Sequence, residues 1–134
     1  MTPPRAFLVV DDSPLHHQMY KLIFGRGSLQ GSTVYHASNG REGYALFMAH
    51  PELTLVLLDL NMPEMNGLEF LERRRADKLH LDVPVVLVTT EGTPDDEARG
   101  RAAGAWDYLR KPFKPSDVER LVTKALTQAA TRSA

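Results

Sequence analysis

The stretch Ala6-Phe7-Leu8-Val9-Val10-Asp11-Asp12-Ser13-Pro14 joins an unbroken apolar run to two carboxylates and then to a helix start. Five consecutive apolar residues suit a strand buried on both faces, the kind found in parallel sheets covered by helices. Ser13 is a helix-capping residue, and Pro14 suits the first helical position, where its missing N–H costs nothing. A buried strand therefore passes into a helix across two acidic side chains. Four more apolar runs follow: Thr33–Ala37, Leu55–Leu58, Val83–Val88 and Trp106–Leu109. The runs at Leu55–Leu58 and Val83–Val88 are nearly continuous, like the first. The other two are more mixed, as expected of edge strands.

Helical patterns separate these runs. Leu15, Met19, Leu22 and Ile23 define one stripe, and Val118, Leu121, Val122, Ala125, Leu126 and Ala129 a stronger one. Weaker stripes run through Ala45, Leu46 and Ala49, through Leu68 and Leu71, and through Ala98, Ala102 and Ala103. Ser116 with Glu119 has the spacing of a capping box, and Gly104 is placed to end the fourth helix. Gly25, Gly27 and Gly31 read as a helix stop and turn, since no strand precedes them as a phosphate loop would require. Residues Ala130–Ala134 read as a frayed tail. Strand and helix alternate five times, which implies an α/β fold with a parallel sheet and right-handed crossovers.

The 134 residues fit one domain, residues 1–134, with a core over about residues 5–128. The 43% hydrophobic content supports that core without staples, and the absence of cysteine rules out disulfides and thiolate metal sites. A net charge of −1 argues against direct nucleic-acid binding. No apolar run approaches the roughly 20 residues needed to span a bilayer, and no signal peptide is legible, so the expected location is cytoplasmic.

Polar residues fall where a parallel α/β sheet binds ligands, at the carboxyl ends of its strands. Asp11 and Asp12 follow the first strand, Asp59 ends the third, Thr89 and Thr90 end the fourth, and Lys111 follows the fifth. Carboxylates gathered in one pocket repel one another unless a hard divalent cation joins them, and all-oxygen ligation with waters suits magnesium. Lys111 adds a second positive charge, a Thr89 hydroxyl can donate to a phosphoryl oxygen, and Asp59 can act as a carboxylate nucleophile. Each residue also has a plain reading, as a turn former, a strand-end Thr or a surface charge. It is the joint placement after four strands that points to phosphoryl transfer.

Four strings carry a family resemblance: Phe7–Pro14, Leu57–Glu69, Val88–Glu91 and Gly104–Phe113. Together they resemble the signature blocks of bacterial two-component response-regulator receiver domains, over about Phe7 to Leu126, in the single-domain chemotaxis-regulator style. The resemblance implies a doubly wound, flavodoxin-like receiver fold, five parallel strands in the order 2-1-3-4-5 with five helices; a member of this family is a stock example of that order. It implies that Asp59 accepts a phosphoryl group from a sensor histidine kinase or a histidine phosphotransfer domain. Asp12 and Asp59 would hold Mg2+ through side chains, Asn61 through its carbonyl and Asp11 mostly through water, with Mn2+ as a substitute. Thr89 and Lys111 would engage the phosphoryl group, Tyr108 would be the aromatic switch, and Asn61 and Glu91 would tune phosphoryl lifetime. A cis bond before Pro112 is implied as well.

The implied protein is a cytoplasmic phosphorylation switch that catalyses only its own phosphorylation and dephosphorylation. It would control a separate output protein, in chemotaxis or motility, or act as a phosphorelay intermediate, as a monomer or an activation-dependent dimer. With no output domain legible after the fifth helix, its effect is expected to pass through that partner. An alternative is a small Mg2+-dependent aspartyl-phosphate hydrolase, which would normally carry an acid where Asn61 stands. A flavodoxin-like flavin binder is disfavoured because Asp11 and Asp12 would repel a flavin phosphate. The five histidines, His16, His17, His36, His50 and His80, lack paired metal spacing and read as structural or surface residues. Arg73-Arg74-Arg75 reads as a solvated helix end favoured by the dipole there. Trp106 reads as packing, beside Tyr108.

Overall fold

The computed structural model describes residues 5–90 and 93–133; for Ser28 and residues 129–133 only the backbone is considered. Along the chain lie β1 (Ala6–Val10), α1 (Pro14–Phe24), a short 3-10 turn (Gly27–Leu29), β2 (Thr33–Ala37), α2 (Gly40–Ala49) and β3 (Leu55–Asp59). They are followed by α3 (Gly67–Asp77), β4 (Val85–Thr89), α4 (Pro94–Ala102), β5 (Asp107–Arg110) and α5 (Pro115–Ser133). All strand pairs are parallel, in the order β2-β1-β3-β4-β5. The mixed runs are the two edge strands, and the three continuous apolar runs are central.

The period of two along each strand sorts side chains between two cores. Leu8, Val10, Val56, Leu58, Val85 and Leu87 face Tyr44 and Phe47 of α2 and Leu68, Phe70 and Leu71 of α3. Phe7, Val9, Leu55, Leu57, Val86 and Val88 face Tyr20, Ile23 and Phe24 of α1 and Val118, Leu121, Val122 and Ala125 of α5. Each such large side chain removed from water contributes roughly 1.5–3 kcal/mol before chain entropy is counted. Helices thus cover both faces of the sheet. Among the described residues, no helix is long and apolar enough to cross a membrane.

Several local expectations shift. β4 begins at Val85, after Pro84, because proline offers no N–H to the ladder. β5 is displaced by one residue, and β3 takes in Asp59. The face of α1 is set by aromatics: Tyr20, Ile23 and Phe24 are buried, whereas Leu15 and Leu22 are 75% and 62% exposed. In α2 the buried residues are Gly40, Gly43, Tyr44 and Phe47, and Ala45 and Ala49 face out. Ala98 and Ala102 are also exposed; of that stripe only Ala103 is buried, beyond the helix whose one buried residue is Gly100.

The helix ends follow side-chain chemistry. Ser13 accepts from the His16 N–H, and Asn66 and Glu69 form a reciprocal capping box on α3. α5 starts one residue before Ser116, so Ser116 lies inside its first turn; the Asp117 carboxylate accepts from the Lys114 N–H at 2.9 Å instead. Gly104 takes φ 109°, a left-handed conformation, just past α4. α5 continues to Ser133, so the expected tail from Ala130 is helical as far as the described residues reach.

The arginine run is not simply solvated. Arg74 is 4% exposed and donates to the carbonyls of Val83 and Gly104, both at 3.0 Å, pinning α3 to the loops that flank β4 and α4. Arg75 donates to Ala102 O at 2.7 Å, while Arg73 lies over the Tyr44 ring.

Candidate functional site

The cleft is built by register. Val10 pairs with Leu58, and Asp59 with Val88, so Asp11 and Asp59 emerge side by side where β1 and β3 end. Main-chain bonds continue the ladder through the site: Asp11 N–H to Ala37 O at 3.0 Å, Leu60 N–H to Val88 O at 2.9 Å, and Lys111 N–H to Thr89 O at 2.8 Å. Strand-end side chains are thereby held with the rigidity of the sheet. Thr89, 2% exposed, closes β4 beside them.

One oxygen from each of Asp11, Asp12 and Asp59 lies within 4.8 Å of the others. Asp11 is 1% exposed and Asp59 7%, whereas Asp12 is open to solvent. The Lys111 ammonium reaches into this group, donating to Asp11 Oδ2 at 2.9 Å and Asp59 Oδ2 at 3.3 Å. Backbone N–H groups complete the shell: Ser13 donates to Asp11 at 2.9 Å and Asn61 to Asp59 at 3.2 Å. Asn61 itself is exposed at the mouth of the cleft.

The two buried carboxylates are driven apart. Burial raises the pKa of both. At Asp11 the Ser13 N–H and Lys111 outweigh burial and hold the group below its ordinary value. At Asp59 burial, joined by the negative charge of Asp11, outweighs Lys111 and raises it. Asp59 is thus the carboxylate whose charge is least compensated. A divalent cation fits this donor set: three carboxylates supply hard oxygens, one solvent-facing, and the like-charge cost at Asp59 is what such an ion relieves.

Sequence reasoning missed His16. Its Nδ1 lies 3.0 Å from Asp11 Oδ2 and 3.0 Å from Lys111 Nζ, so it belongs to the cleft wall. The available signal was position, since the first turn of a helix that follows a strand-end carboxylate overhangs the strand ends. Two other histidines also meet: His17 and His36 bring their Nδ1 atoms to 2.7 Å.

Tyr108 lies on β5 with its hydroxyl shared between the carbonyls of Asp96 and Glu97, at 3.0 and 2.9 Å. It occupies a notch left by Gly100, where a Cβ would overlap the hydroxyl and lie 2.9 Å from Cζ. The Arg101 guanidinium stands 5.5 Å from the ring centre. Beside it, Trp106 donates to Gln128 at 2.6 Å under the Lys124 ammonium. The Lys111-Pro112 peptide is cis. Glu91 lies outside the described residues.

With this geometry, the chain matches the response regulator receiver domain family over residues 7–123. The chain belongs to that family. It is 38% identical over 108 residues to a chemotaxis protein CheY homologue of Campylobacter jejuni, covering 81% of this chain and 82% of that protein. Its fold matches a CheY-like receiver domain protein from Methanospirillum hungatei with a TM-score of 0.85 at 27% identity, covering 97% and 99% of the two chains. It also matches the receiver domain of a sensor histidine kinase from Pseudomonas aeruginosa, at TM-score 0.80 and 22% identity over 93% and 99%; that protein carries a magnesium ion in its active-site cleft.

Proposed function

We propose that this protein is a phosphorylation switch in which Asp59 accepts a phosphoryl group from a phosphohistidine on a sensor kinase or phosphotransfer domain. The observation that carries this reading is Lys111 Nζ bridging Asp11 and Asp59 inside a cleft of three carboxylates. Asp12, Asp59 and the Asn61 carbonyl would hold Mg2+, or Mn2+ in its place, and Asp11 would act through water. The ion would supply charge neutralisation for phosphoryl transfer.

The chain's own residues do the rest. The raised pKa of Asp59 marks the carboxylate that gains most from a nearby cation. Attack by its oxygen on the phosphorus forms an acyl phosphate while the histidine nitrogen leaves with the P–N electron pair. Lys111, already 3.3 Å from Asp59, moves its N–H groups onto phosphoryl oxygens, and the Thr89 hydroxyl donates to another. Movement of Lys111 and Thr89 toward the phosphoryl group is what Tyr108 would sense, loosening its hold on α4 and reshaping the face made by α4, β5 and α5. That face would address a separate output protein, as the relationship to a chemotaxis protein suggests for motility control. Asn61 would set how fast water reaches the acyl phosphate, and residues 1–134 would act as one domain.

Acetyl phosphate with Mg2+ should add one phosphoryl group to the intact mass of the wild-type protein and none to Asp59→Asn. Phosphoryl uptake that survives Asp59→Asn, or no uptake by wild type, overturns the assignment. Steady turnover of an aryl phosphate would instead favour a hydrolase.

A further inference from the structure

Outside the acidic cleft, two imidazoles from different elements face one another. His17 lies on α1 and His36 on β2, both partly exposed, with rings edge-on at 67° and Nδ1 atoms 2.7 Å apart. His17 Nε2 lies 2.7 Å from the carbonyl oxygen of Asp11. A carbonyl only accepts, so His17 carries its proton on Nε2 and, as a neutral ring, presents a lone pair at Nδ1. One N–H···N bond from His36 then accounts for the metal-free contact.

We propose that His17 and His36 together form a binding site for a divalent transition-metal ion of the nickel, copper or zinc class, separate from the magnesium cleft. Three features support it. Imidazole nitrogens suit these ions, and the carboxylate-rich cleft suits harder ones. At metal–nitrogen bonds of about 2.0–2.1 Å, two nitrogens 2.7 Å apart subtend about 80° at the ion, close to the angle between neighbouring ligands of an octahedron. Third, His17 has the outer-shell bond typical of metal-ligating histidines, the second ring nitrogen donating to a backbone carbonyl, which fixes tautomer and ring plane before the ion arrives.

Burial lowers the pKa of His36, and the Lys21 charge lowers it further, which favours the neutral ring that a metal ligand must be. Binding requires His36 to exchange its ring proton from Nδ1 to Nε2 through solvent, with no net proton release. Water completes the coordination, since among the described residues no third His or carboxylate joins the pair. The site is small and solvent-facing.

The probe is Ni2+, titrated into the untagged full chain with Mg2+ saturating, and followed by calorimetry and by paramagnetic broadening of histidine ring signals. One equivalent should bind and broaden His17 and His36 first. His17→Gln keeps an amide N–H able to reach the Asp11 carbonyl while deleting the Nδ1 ligand, and His36→Gln lies away from the cleft. Both should lose this uptake with unchanged circular dichroism, and His50→Gln should retain it. Absence of uptake by wild type, equal uptake by His36→Gln, or broadening centred on His16 or His50 overturns the site.

Discussion

Replacing Asp59 by Asn should make the metal-free protein more stable, by a margin that follows from the cleft's charges. At an effective dielectric of about 20, the 3.3 Å contact with Lys111 is worth about 5 kcal/mol, and repulsion from Asp11, which brings an oxygen within 4.8 Å, costs at least about 3.5 kcal/mol. Solvent-facing Asp12 adds a smaller repulsion. Attraction and repulsion nearly cancel, so what remains is the desolvation of a carboxylate that is 7% exposed. The neutral amide escapes that cost, and a net gain of about 2 kcal/mol is expected for it at pH 7, or about 8 °C in Tm for a domain this size.

The sign with pH follows from the direction of the shift. The folded pKa of Asp59 is raised, so its charge is a burden that is absent below the unfolded carboxylate pKa and grows as pH climbs through the folded value. The advantage of Asn should therefore vanish in acid. Saturating Mg2+ should stabilise wild type by about 2.7 kcal/mol at a hundredfold excess over Kd, and the variant by less, closing the gap. Urea unfolding followed by Trp106 fluorescence, in EDTA and in Mg2+, measures all three quantities. If Asp59→Asn is less stable than wild type in EDTA at pH 7, the charge account of the cleft is wrong.

Further outcomes can be checked separately. Gly100→Ala should displace the Tyr108 ring and cost roughly 1–3 kcal/mol, much of it recovered in a Tyr108→Ala background; an equal cost in both backgrounds would trace the effect to Leu87, 2.7 Å from the same Cβ position. Arg74→Met should cost about 2–4 kcal/mol in chemical denaturation, because the Val83 and Gly104 carbonyls lose their buried partner. Tyr44, buried and donating to Asp77 at 2.6 Å, has its pKa pushed up to about 12 by burial first and Asp77 second. Stability linked to that phenol should hold below pH 10 and fall as pH rises toward 12, as absorbance titration of wild type against Tyr44→Phe would show.

The strings around Asp11, Asp59, Thr89 and Lys111 were legible because strand-end chemistry is local: an apolar run, an abrupt polar residue, a capping residue. Those local signals indicated the alternation of elements, two mixed runs of the kind expected at sheet edges, and carboxylates at the strand ends, with family resemblance supplying the strand order. Near misses were of one kind. Leu15 and Leu22 continue an apolar spacing yet face solvent, since Tyr20 and Phe24 fill the space beneath α1 more completely. Arg74 sits in a run of three identical charges, and only the crossing of α3 with the loops at Val83 and Gly104 decides which one is buried. Histidines 19 positions apart carry no shared periodicity, so His17 and His36 meet solely because α1 packs beside β2. Period and capping act within a turn or two of chain, and side chains brought together from separate elements are chosen by packing.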